Sequence, residues 1–136
     1  MTGNEKETSD SWGGVLDSSA MLAWLFREPG GTEVDSILPA IISAVNLTEV
    51  IIVGIRRGLS VEDVQAALAD LPLSVIPYER SDAPAAAVLH AKSREYGLFL
   101  ADCICITLGA RYGLPVLTAD SRWAETALPA KVRLIR

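Results

Sequence analysis

Five short apolar runs, at residues 15–17, 40–43, 73–76, 115–118 and 132–135, are separated along this chain by segments with helical spacing. Runs this short suit strands that are covered on both faces. Their alternation with helices predicts an α/β/α three-layer sandwich around a mostly parallel sheet of about five strands. The punctuation agrees. Ser18 opens a helix carrying Met21, Leu22, Trp24 and Leu25, which Pro29, Gly30 and Gly31 stop, and a further helix fits Thr32 to Leu38. Ser43 is an N-cap for a longer helix reaching Arg57 and stopped by Gly58. Ser60, Glu62 and Asp63 start a helix that ends before Pro72, Asp82 and Pro84 open one closed by Gly97, and the last runs from about Leu100 to Tyr112, closed by Gly113.

A chain of 136 residues with 50% hydrophobic content can bury one core. Residues 14–136 are therefore expected to form a single domain. Residues 1–13 are expected to form a flexible polar leader from which Trp12 can dock. Asp17, Glu49, Asp102 and glycines break every apolar stretch before the roughly 18 residues a membrane span needs, so a soluble, cytoplasmic protein is expected. The two cysteines, Cys103 and Cys105, are turned to different faces of one helix, with no histidine near in sequence to complete a zinc set. They read as reduced core residues. A net charge of −5 argues against a broad basic surface for nucleic acid, although it leaves room for a metal-mediated nuclease.

Four carboxylates, Asp17, Glu49, Asp102 and Asp120, end or interrupt apolar runs (GGVLDSSAMLAWLF, SAVNLTEVIIVGI, YGLFLADCICITLGA and GLPVLTADSRWAE). Acids in such settings need partners or cations to stay ionised. In parallel α/β sheets the functional crevice lies beyond the carboxyl ends of the strands. Asp17 and Asp120 follow strands, while Glu49 and Asp102 lie on early turns of helices, so the four can meet on one rim. An all-oxygen set of this kind suits one or two magnesium or manganese ions. Like charges about 4 Å apart repel by roughly 4 kcal/mol at an effective dielectric near 20, so the metal-free site should strain the fold.

Each acid taken singly has a plainer account. Asp17 and Asp102 suit helix N-termini, and Asp120 suits an Asx turn. Glu49, mid-helix between Leu47 and Val50, has no capping role to explain it. Asn46, three residues before Glu49 on the same helical face, orients that carboxylate, touches substrate, or simply faces solvent. Arg122 can hold phosphate, while Trp123 either packs in the core or stacks a base. Trp24, Leu25 and Phe26 exceed one buried helical face, which leaves open a dimer or partner surface beside ordinary core. Asp70, at a helix end, and His90, without a partner, receive no function.

The order VLDSSA, NLTEV, then LADCICITLGARYGLPVLTAD with Trp123 shortly after, resembles the PIN domain family, and within it the VapC-type toxins of bacterial toxin and antitoxin pairs. The resemblance runs from residue 14 over nearly the whole chain. It implies that Asp17, Glu49, Asp102 and Asp120 are the metal-binding, catalytic acids and that Ser18 and Thr118 are supporting polar groups. It further implies a magnesium- or manganese-dependent ribonuclease acting on RNA, a homodimer, and inhibition by a cognate antitoxin. One departure is Phe99, standing where the family often has Ser, which removes a helix cap or hydrogen bond near Asp102. The alternatives are a catalytically idle PIN-like binding module and an aspartyl phosphatase using Asp17. The second is disfavoured because Ser19 stands where such enzymes offer a second acid.

Overall fold

The computed structural model describes residues 11–125 and 127–136; the expected leader, apart from residues 11–13, lies outside the described residues. Five strands, β1 (Val15–Leu16), β2 (Ala40–Ser43), β3 (Leu73–Ile76), β4 (Val116–Thr118) and β5 (Val132–Leu134), form one sheet of order β3-β2-β1-β4-β5. Every pairing is parallel. Five helices join them: α1 (Ser18–Leu25), α2 (Ala44–Arg56), α3 (Val61–Ala69), α4 (Ala83–Lys92) and α5 (Leu100–Tyr112).

The period of two along the strands divides the core. Val15, Ile41 and Val116 pack with Leu89 of α4 and Cys103 and Ile106 of α5 on one face. Leu16, Ile42 and Leu117 pack with Met21 of α1, Val50 of α2 and Val64 of α3 on the other. The central strands β1, β2 and β4 are buried and apolar but for Ser43 and Thr118 at their carboxyl ends, whereas the edge strands β3 and β5 are partly exposed and carry Ser74 and Arg133. Both cysteines are free and buried. Trp12 meets Tyr112 edge-on at 5.2 Å between ring centroids, and the Gly13 N–H donates to the Pro39 carbonyl at 2.7 Å, so the chain is anchored just before β1.

Caps set the boundaries of α2 and α3 as the sequence suggests, whereas α4, expected to run on toward Gly97, stops at Lys92, and a separate 3-10 turn, Arg94–Tyr96, precedes that glycine. The Val45 N–H donates to Ser43 Oγ at 3.1 Å, and Ser60 and Asp63 form a reciprocal capping box. The segment expected as a helix over Thr32 to Leu38 is instead a 3-10 helix, Gly31–Ile37. Leu38 precedes Pro39 and is extended (ψ 141°), as the proline ring requires, which leaves too few residues for α-helical hydrogen bonds to accumulate. Among the described residues no helix is long and apolar enough to cross a membrane.

From β1 the chain moves outward through β2 to β3, then returns to place β4 on the other side of β1 and continues to β5. The direction of winding therefore reverses between β1 and β4. At such a switch point the loops part and leave a crevice at the carboxyl ends of the two strands.

Candidate active site

Asp17 follows β1 directly and is 4% exposed. Its backbone N–H donates to the Leu117 carbonyl at 3.1 Å, which fixes it beside β4. Its Oδ1 accepts the Ala20 N–H at 2.8 Å, capping α1. Two hydroxyls complete its surroundings: Ser19 Oγ donates at 2.8 Å to Oδ1, and Thr118 Oγ1 donates at 2.5 Å to Oδ2. Each hydroxyl also accepts a backbone N–H from the loop after β4, Ser19 from Ala119 at 2.9 Å and Thr118 from Asp120 at 3.0 Å. Those acceptances orient the hydroxyl protons toward Asp17, a polarity that fits a carboxylate. Burial nevertheless outweighs these bonds and pushes the Asp17 carboxyl from 3.8 up to about 6, with the Asp102 charge adding to the rise.

Glu49 lies on the second turn of α2. Ser18 Oγ donates to Glu49 Oε1 at 2.7 Å, and Asn46 Nδ2 reaches the same oxygen at 3.3 Å. Asn46 also donates to the Ala101 carbonyl at 3.3 Å, stapling α2 to the first turn of α5. It is 1% exposed, so the solvent-facing alternative is excluded. Its Oδ1 is buried without a hydrogen-bond partner, an acceptor next to the acids.

Asp102 is the electrostatic centre of the group. Burial raises its carboxyl above the usual range, and the charges of Glu49 and Asp120 raise it further, against the Phe99 N–H and the Arg122 charge, which lower it. Since Asp102 also acts on Asp17, it lies within electrostatic reach of all three other acids. Phe99 offers no side-chain cap to α5, as its hydrocarbon ring dictates. Half of the capping arrangement survives, because the Phe99 N–H donates to Asp102 Oδ2 at 2.9 Å and thereby orients that carboxylate.

Asp120 faces Arg122 in a fork: Nε to Oδ1 at 3.0 Å and Nη2 to Oδ2 at 2.7 Å. This bonding pulls the Asp120 carboxyl below its ordinary value. Trp123 is 1% exposed and belongs to the core. His90 and Asp70 are exposed.

The four acids thus converge on one rim. Among the described residues no three Asp, Glu, His or Cys side chains form a ready-made cage for an ion. The donors still fit a hard cation. They are oxygens only, two of them are disfavoured as anions until a positive charge arrives, and magnesium needs only one or two carboxylates because it keeps several waters. The Cys105 thiol, under the acids, is held protonated by burial and by their charge, so it supplies no competing thiolate.

Ser19 is the residue that sequence reasoning missed. It entered only as a missing acid, whereas it ties Asp17 to the β4 loop. Its position two residues after a strand-end Asp, opening a helix, was the available signal.

A doubly covered parallel sheet with acids gathered at its switch point defines the class of protein. The chain belongs to the PIN domain family, whose profile matches residues 14–128. Solved structures agree in fold. A toxin–antitoxin complex from Klebsiella pneumoniae is 18% identical, with 87% of this chain and 98% of that chain covered at a TM-score of 0.66. DNA-bound VapBC from Salmonella typhimurium is 19% identical over 90% and 97% of the two chains, also at 0.66. VapBC-5 from Mycobacterium tuberculosis is 26% identical over 90% and 97%, at 0.58. No curated protein matches the chain.

Proposed function

We propose that this protein is a VapC-type endoribonuclease toxin that hydrolyses RNA phosphodiester bonds with magnesium or manganese. The observation that carries the reading is Asp17, a buried acid pushed up to about 6 at the switch point and coupled through Asp102 to Glu49 and Asp120. Asp17, Glu49, Asp102 and Asp120 would hold the ion. A divalent cation there supplies a water acidic enough to ionise near neutral pH and positive charge against the phosphate oxygens. The chain's own groups do the rest. Thr118 and Ser19 hold Asp17 in one orientation, Ser18 and Asn46 hold Glu49, and the Asn46 Oδ1 can accept a proton-bearing group such as water. Arg122, bonded to Asp120, is a cation placed to meet a substrate phosphate.

The neighbours' titles, toxin–antitoxin and VapBC complexes, support a cognate antitoxin as partner. Trp24 and Leu25, both half-buried, line a groove of about 650 Å³ together with Arg27, Glu28 and Asp35, a mixed apolar and charged surface that such a partner would cover. A homodimer and a cytoplasmic location complete the reading.

The test is cleavage of an RNA pool by the purified chain across a magnesium and manganese titration, with Asp17→Ala as control. Metal-dependent cleavage that leaves 5′-phosphate and 3′-hydroxyl ends, and that Asp17→Ala loses, is the expected result. If no metal supports cleavage of any RNA, the idle binding module is the better reading.

A further inference from the structure

Asp120 carries a cation before any metal arrives. Arg122 engages both of its oxygens, Nε at 3.0 Å from Oδ1 and 3.2 Å from Oδ2, with Nη2 at 2.7 Å from Oδ2. The Arg122 backbone N–H adds a fourth bond to Oδ1 at 3.0 Å. The guanidinium is also seated. Gly97 adopts the left-handed region (φ +70°), and a Cβ built there would stand only 3.3 Å from Arg122 Nη1, so the arginine head lies against bare backbone. That turn leads into α5, whose first turn carries Asp102. The guanidinium therefore bridges the loop that carries the fourth acid and the turn before the third.

A guanidinium fork and a divalent cation make incompatible demands on one carboxylate. The fork takes an oxygen lone pair on each side in a fixed plane. A metal needs the same lone pairs and repels the guanidinium at contact distance. We propose that Arg122 is the internal counter-cation of the site: it neutralises Asp120 in the metal-free protein and competes with the divalent ion for that carboxylate. Arg122 thus acts on the metal through Asp120 as a positioning residue. The inference rests on the reading that these acids hold a metal, and extends it to how the empty site is kept neutral.

The experiment is manganese binding to the full chain without RNA, by calorimetry and by the EPR signal of free manganese. It uses the wild type, Arg122→Gln, Arg122→Lys, Asp120→Asn and the Asp120→Asn/Arg122→Gln double variant. Arg122→Gln should bind manganese about two- to fivefold more tightly than the wild type, the scale of one exposed ion pair. Arg122→Lys, which keeps the charge and loses the fork, should fall between them. In the Asp120→Asn background, Arg122→Gln should lose most of its effect. Equal or weaker binding by Arg122→Gln, or the same tightening in the Asp120→Asn background, would overturn the inference while leaving the metal site standing. Absence of manganese binding in both the wild type and Arg122→Gln would overturn the metal reading and the inference together.

Discussion

Replacing Asp17 with Asn exchanges a buried charge for a neutral group of the same shape. In the fold the Asp17 carboxyl is pushed from 3.8 up to about 6 by burial, so the folded state holds its proton more tightly than the unfolded chain does. A raised acid destabilises the fold once both states are ionised. Stability from this group is greatest below about pH 4, falls between about 4 and 6, and stays low above that. At pH 7.5 the gap corresponds to about 3 kcal/mol. The amide does not recover all of it. The Asn oxygen keeps the partners of Oδ1, Ser19 and Ala20, but its NH2 group faces Thr118 Oγ1, whose hydroxyl must then turn its proton elsewhere. A lost hydrogen bond of this kind costs about 1 kcal/mol. Asp17→Asn in chelator should therefore be about 1–2 kcal/mol more stable than the wild type at pH 7.5, with the difference shrinking toward pH 4.5. Urea denaturation of both proteins at the two pH values measures this. If Asp17→Asn is instead destabilised by more than about 1 kcal/mol at pH 7.5, Asp17 is mainly the cap of α1, and the argument for a site awaiting a cation fails.

Four further substitutions probe the frame. Phe99→Ser should complete the capping arrangement that Asp102 half supplies and raise stability by about 1 kcal/mol, read as a higher melting temperature. Ser19→Ala removes a donor to Asp17 and an acceptor for the Ala119 N–H, so it should cost about 1–3 kcal/mol and raise the Asp17 carboxyl further, followed by its carboxyl NMR shift against pH. Gly31→Ala should destabilise more than Gly54→Ala in denaturant melts: the added Cβ would lie 2.3 Å from the Ala23 carbonyl oxygen in the first, against 2.7 Å from a Val64 methyl in the second, and backbone yields less than a methyl does.

What could be read in advance from the sequence divides along physical lines. Strands buried on both faces leave apolar runs, and helix ends need particular residues, so β2, α2 and α5 were visible in composition and caps. The 3-10 segment Gly31–Ile37 was not, because its outcome turns on how Leu38 enters Pro39 and β2, a tertiary condition. The acids were legible because a charge in an apolar run is rare enough to demand a reason. Their partners were less so. Ser19 and Thr118 are small hydroxyls of a kind found on any helix start or strand end, and what makes them special is that the β1–β4 pairing brings Thr118, 101 positions along the chain, onto the carboxylate that Ser19 holds from two residues away. Arg122 shows the limit from the other side. Its nearness to Asp120 is local, two residues along the chain, yet the Gly97 seat that places its head beside the Asp102 helix comes from another segment altogether. The same long-range contact that hides such a residue from sequence reading lets one side chain act on two acids, Asp120 by direct bonds and Asp102 by its charge.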